Sequence, residues 1–304
     1  MKFIKLLTIF VFLTACEEES NKTLIPKDIT LAHLKNYNDA EYKLIQEDLK
    51  NIQALSFRNK KPSENPIYLA TAGGPGSLKS TVLETILEEE SDYNNFVYAD
   101  PDPRALRLMI NTYMTESLSF YTISQADSFQ QAQIAAYNHW RGGSNYITNT
   151  IINKAFAKKY NIAHGATSTS PAVEKLYKSL KEKGYKIELV LCYAQDKTRL
   201  AAVDHRSRTQ ANYQSTPEDV INKGKMFPER FPTYFSNANK IRLYWADDIG
   251  SGAYEVARIE KGQITIMDAD GYDKFVLKYT LDKERSDKDL PSWETLLRYN
   301  AACE

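Results

Sequence analysis

The sequence predicts an α/β fold in which a largely parallel sheet is covered by helices on both faces. Short apolar runs alternate with helix-length stretches from Ile67 to Trp245, the first run leads through a Gly-rich turn into a helix, and the pattern changes to paired extended runs only after Asp247. At 304 residues, with 42% apolar and 12% aromatic content, the chain has room for one large domain plus extensions. It carries 39 basic and 39 acidic residues, so the balance gives no basis for a nucleic-acid partner or a general anionic-membrane binder. Any anion site must be local.

Lys2 and Lys5 precede an apolar run, Leu6 to Leu13, that is too short to span a bilayer, so residues 1–15 read as a signal peptide. Leu13-Thr14-Ala15-Cys16 resembles a bacterial lipobox, in which Cys16 is lipidated and anchors the mature chain to a membrane, on the periplasmic side or at the cell surface. Residues 16–29 then form a tether. Over 30–63 the apolar residues Leu34, Tyr42, Ile45, Leu49, Ile52 and Leu55 mostly recur at three- and four-residue spacing, predicting one or two helices from Thr30 to Phe57 before a Pro-containing linker.

The main domain, 64–250, opens with a strand at Ile67 to Thr71 and a helix from Lys79 to Glu90. Further strands are predicted at Phe96 to Ala99, Asn161 to Ala163, Ile187 to Tyr193 and Ile241 to Trp245, with a helix from Ala172 to Lys183. Residues 251–304 hold a β-hairpin, Tyr254 to Ile259 with Gln263 to Met267, a charged loop from Asp282 to Asp289 and a last helix around Trp293 to Tyr299. With Cys16 lipidated, Cys192 and Cys303 remain. Cys192 lies within an apolar run and reads as a buried thiol, and no metal-ligand spacing appears, so neither a zinc site nor a disulfide framework is expected.

Gly73-Gly74-Pro75-Gly76-Ser77-Leu78-Lys79-Ser80 stands between a predicted strand and a predicted helix. In such a phosphate-binding loop (P-loop), backbone N–H groups cradle phosphate oxygens, Lys79 reaches the β- and γ-phosphates of ATP, and the Ser80 hydroxyl binds Mg²⁺. The fold expectation is therefore P-loop NTPase-like. Leu78 departs from the pattern, which asks for glycine before the lysine. Phosphoryl transfer to a hydroxyl also needs a carboxylate and positive charge. Asp100 and Asp102 follow the second strand at its carboxyl end, where open parallel sheets build their sites. Arg199, Arg206 and Arg208 fall in a predicted helix after the fourth strand.

With this loop, the stretches YADPDPR (Tyr98 to Arg104), IAHGATSTSP (Ile162 to Pro171) and GYKIELVLCYAQ (Gly184 to Gln195) followed by DHRSR (Asp204 to Arg208) resemble the zeta toxin family of P-loop kinases over residues 64 to 246. Characterised toxins of that family phosphorylate the amino sugar of UDP-N-acetylglucosamine. The resemblance implies that Lys79 is the phosphate-binding lysine, Ser80 the Mg²⁺-binding hydroxyl, Asp102 the catalytic base and Arg206 an arginine on the nucleotide phosphates. His164 stands where the toxins carry a glutamate, and their second phosphate arginine falls near Gln214, with Arg208 a candidate replacement.

Asp100, His164, Ser144 and Asn149 are the candidate substrate contacts, with Asn145 and the segment Ser119 to Trp140 helping to form the acceptor pocket. Two readings stay open: an ATP- and Mg²⁺-dependent kinase acting on a small molecule such as a nucleotide sugar, and a degenerate lipid-anchored nucleotide-binding or interaction module without turnover. An antitoxin-like partner is conceivable for a toxin-family domain.

Overall fold

The structure, a computed structural model, describes residues 23–119, 126–209 and 216–302. The stretch expected to be a signal peptide, the expected lipidation position Cys16, Gln214 and Cys303 lie outside the described residues. Among the described helices, none is long and apolar enough to cross a membrane.

The described strands are β1 (Ile67–Ala72), β2 (Phe96–Ala99), β3 (Asn161–His164), β4 (Lys186–Ala194), β5 (Lys240–Ala246), β6 (Ala253–Glu260) and β7 (Gln263–Ile266). They form one sheet in the order β2-β3-β1-β4-β5-β6-β7, parallel through β5 and antiparallel for the last two. Near-continuous apolar strands are what a parallel sheet covered on both faces requires. In β4, Ile187, Leu189, Leu191 and Tyr193 enter one core while Val190 and Cys192 enter the other, the period-two alternation of a strand.

The smaller core is closed by α3 (Lys79–Glu89) through Val82, Leu83 and Ile86. The larger is closed by α5 (Ala126–Ala157), α6 (Val173–Glu182), α9 (Phe231–Asn237), α10 (Ala269–Glu284) and α11 (Trp293–Ala301). The remaining helices are α1 (Lys27–Ala32), α2 (Asp39–Ser56), α4 (Tyr113–Ser119), α7 (Asp196–Thr209) and α8 (Pro217–Met226).

The N-terminal helical region expected from Thr30 is two helices; the first begins at Lys27, inside the stretch expected to be a tether, where Leu24 is already buried and the Ile25 N–H donates to Asn153, and a capping box of Asn38 and Glu41 starts the second. The charged stretch expected to be a loop from Asp282 is different. Helix α10 continues to Glu284, and Asp282 turns inward to receive Lys278 at 2.5 and 2.7 Å. The hairpin adds to the sheet at β5, and Phe275, Tyr279 and Trp293 pack their rings against Phe231 and Phe235, joining the C-terminal helices to the sheet's larger core.

Candidate active site

β1 runs out of the sheet centre into the Gly73 to Leu78 loop, which feeds the N-terminus of α3. Gly76 has φ +80°, and a Cβ there would stand 2.2 Å from the Arg199 carbonyl oxygen, so only glycine fits the turn. The Ser77 hydroxyl and the Lys79 ammonium each donate to the Gly74 carbonyl at 2.8 Å, folding the loop around its own backbone. Leu78 adopts the left-handed conformation, φ +61°, that a glycine would take without strain. Desolvation, with the charges of Arg206 and Arg199 acting in the same direction and Cys192 and Asp100 opposing, lowers the Lys79 ammonium to about 8.

β2 delivers the two carboxylates through a single π-type turn, Pro101–Ala105. Asp100 is 4% exposed and its Oδ1 accepts the Asp102 N–H at 2.9 Å. Burial, then the Asp102 charge, raises its carboxyl to about 7. Asp102 stands further out, ion-paired with Arg141 and within 3.5 Å of the Tyr137 hydroxyl. At the end of β3, His164 Nδ1 lies 2.6 Å from the Tyr68 hydroxyl. Desolvation lowers the ring to about 4, so it is neutral at the position where the sequence reading noted a histidine in place of the toxins' glutamate.

These groups line one cleft of ≈ 290 Å³ that holds Lys79, Ser80, Asp100, Asp102, His164 and Arg206 together. A second cavity of ≈ 300 Å³ adjoins it, sharing Leu78, Ser80, Asp102 and Arg206. Desolvation, against the attraction of Asp102, lowers the Arg206 guanidinium from its ordinary value.

Asn149 lines the cleft, as expected, and so does Asn145. Ser144 does not. One residue along the same helix it faces the other way, fully buried, with its hydroxyl donating to the Arg141 carbonyl at 3.0 Å. Arg208 is also misplaced as a phosphate arginine, because its side chain is 73% exposed and pairs with Asp204 one turn back on α7. Arg199 is buried behind the loop and lines neither cavity.

The sequence reading passes over Arg141, Thr148 and Lys223, and takes in Tyr137 only as part of the pocket-forming segment Ser119 to Trp140; all four line the cleft. A signal for three of them exists. Tyr137, Arg141, Asn145 and Asn149 recur every four residues, with Thr148 alongside, which is a polar stripe down one face of α5 opposite the buried Ala136, Ile147 and Ile151.

A largely parallel sheet with a phosphate loop after β1, carboxylates at the end of β2 and an arginine from the helix after β4 defines a P-loop domain of the kinase type. The family model described as Zeta toxin matches residues 53–230, more than half of the chain, and the protein belongs to the zeta toxin family. No curated protein matches it.

Among solved structures, a chain from the PezAT chromosomal toxin-antitoxin system of Streptococcus pneumoniae superimposes with a TM-score of 0.54 at 16% identity, covering 84% of this chain and 99% of that one. A chain from the AvrRxo1-ORF1:-ORF2 structure with ATP gives 0.52 at 14% identity, covering 90% and 93%. At such identities the likeness is one of fold.

Proposed function

We propose that this protein is an ATP-dependent phosphotransferase whose acceptor is a hydroxyl of a small molecule, with a nucleotide sugar such as UDP-N-acetylglucosamine as the first candidate. The observation that carries this reading is the convergence of Lys79, Ser80, Asp102 and Arg206 on one cleft. The loop suits a polyphosphate: its backbone turns tightly at Gly76, and Lys79, Arg199 and Arg206 crowd one another with like charge that an anion relieves.

The loop amides, Lys79 and Arg206 would hold the ATP phosphates and Ser80 the Mg²⁺. Together these ligands supply the transferable phosphoryl group and its charge neutralisation. Asp102 takes the acceptor's proton, oriented by Arg141 and by its own N–H bonded to Asp100. Neutral His164 and the polar stripe of α5, Tyr137, Asn145 and Asn149, face the acceptor side. This set favours turnover over the degenerate reading.

Lys79→Ala should lower phosphoryl transfer from labelled ATP by at least about 10²-fold, the scale of lost charge stabilisation at a transition state, while the melting temperature stays within a few degrees. Turnover equal to the parent's would end the proposal. We also propose lipid anchoring at Cys16. Palmitate labelling in cells should be lost in Cys16→Ala, and equal labelling would reject it.

A further inference from the structure

Arg199 is 3% exposed and lies behind the phosphate loop. A Cβ on Gly74 would meet its Nη1 at 2.1 Å, and one on Gly224 of α8 would meet its Nη2 at 2.1 Å, so the guanidinium fills a slot between two bare backbones. Its own carbonyl packs against Gly76. Its Nε is buried with no hydrogen-bond partner among the described residues, so Asp196 and packing hold its position.

Asp196 Oδ1 accepts Arg199 Nη2 at 3.0 Å and stands 3.3 Å from the ammonium of Lys278 on α10. Lys278 is buried, bonded to both carboxylate oxygens of Asp282 and set over the Tyr193 ring, whose hydroxyl donates to Asp282 at 2.5 Å. Burial opposes ionisation of Asp196, yet Lys278 and Arg199 outweigh it and hold the carboxyl below its ordinary value. The chain of contacts thus runs from a helix beyond the family segment, which ends at residue 230, to the backbone of the phosphate loop.

We propose that Lys278 is a positioning residue for the phosphate loop: through Asp196 it fixes Arg199 in the slot between Gly74 and Gly224, so that α10 completes the nucleotide site. The proposal rests on reading that loop as the ATP phosphate site. Lys278 acts at a distance from the reacting atoms, by holding the guanidinium that backs the loop and whose charge is felt at Lys79. Losing it frees the Arg199 side chain to turn from the slot and loosens the amide cradle.

The test measures ATP binding by calorimetry on the full chain with Mg²⁺ present, alongside melting temperature and steady-state kinetics. Lys278→Met and Asp196→Asn should each raise the ATP Kd and KM about five- to tenfold, with the acceptor KM unchanged. Asp196 is 37% exposed at its side chain, so that variant tolerates the change and tests the link from Asp196 to Arg199, while Lys278→Gln decides the role of Lys278 if Lys278→Met fails to fold. Lys274→Ala, which removes surface ion pairs to Asp270 on the same helix and to Asp247 after β5, should bind ATP as the parent does.

Lowered melting temperature with ATP affinity within twofold of the parent in both variants would overturn the proposal, leaving Lys278 a docking contact only. Because the readout is binding, a parent that holds ATP without transferring phosphate would reject the kinase reading while this comparison still decides the role of Lys278.

Discussion

Asp100 lies behind Asp102 where burial, reinforced by the Asp102 charge, lifts its carboxyl to about 7 against an ordinary 3.8. The folded state therefore keeps a proton that the unfolded chain releases, so this group's contribution to stability is full below about pH 4 and is lost as pH rises toward 7. Asp100→Asn keeps an oxygen for the Asp102 N–H and removes the ionisation. Relative to the parent, urea denaturation should find it gaining roughly 2–4 kcal/mol between pH 4.5 and 7.5. A flat difference over that range would mean that Asp100 is ionised in the folded protein. Leu78 can be tested in the same spirit. Its left-handed backbone costs about 1–2 kcal/mol, while glycine's extra freedom in the unfolded chain returns up to about 1 kcal/mol of that. Leu78→Gly should thus raise stability by roughly 0–2 kcal/mol. Its ATP KM should fall about threefold, or roughly 0.7 kcal/mol, as the side chain leaves the two cavities it lines. A raised KM would mean that Leu78 supports the loop. Lys79 and Ser80 were legible because they sit in a short local pattern, whereas Asp102 and Arg206 were singled out from their neighbours by the family resemblance, and the fold brings all four to one cleft. Arg141 was not legible, since its partner Asp102 lies 39 residues away and only the folded chain brings them together.

Among the elements, the strands were legible to within about a residue or two, because apolar runs end abruptly at Asp, Pro and Gly where the chain leaves the sheet. Helix α5 was harder. Its 32 residues include Gly142-Gly143, and a Cβ on Gly142 would stand 2.5 Å from the His33 carbonyl oxygen. Close approach of the N-terminal helices, invisible locally, sets that residue. The second of these helices also holds the segment behind the turn that carries Asp100 and Asp102. Asp48 of α2 is fully buried and accepts the Asn111 backbone N–H, the Asn111 amide and the Thr112 hydroxyl at 2.7–2.9 Å. Asp48→Ala would strand three donors and should cost about 2–4 kcal/mol by chemical denaturation, whereas Asp48→Asn retains an acceptor and should cost less. Equal loss in both variants would put the effect on the charge rather than on the hydrogen bonds.

At the scale of the whole molecule, cleft and stability are linked through Lys79. Its ammonium, lowered to about 8, is partly neutral in mildly alkaline solution, and pairing with phosphate favours the charged form. ATP binding above pH 8 must then take up a proton, and the affinity must fall as the fraction of free protein that is already protonated falls. From pH 7 to pH 9 the Kd should rise about tenfold, or roughly 1.4 kcal/mol, and the stabilisation that ATP confers on the fold should shrink correspondingly at ligand concentrations well above Kd. Melting curves at millimolar ATP across that range measure the second quantity, and calorimetry in two buffers of different ionisation enthalpy measures proton uptake directly. Lys79→Ala provides the control, since it removes the titrating group and should leave the weaker residual binding flat with pH. Proton uptake that survives in Lys79→Ala would assign the linkage to another group, and no uptake in the parent would mean that the phosphates do not reach Lys79.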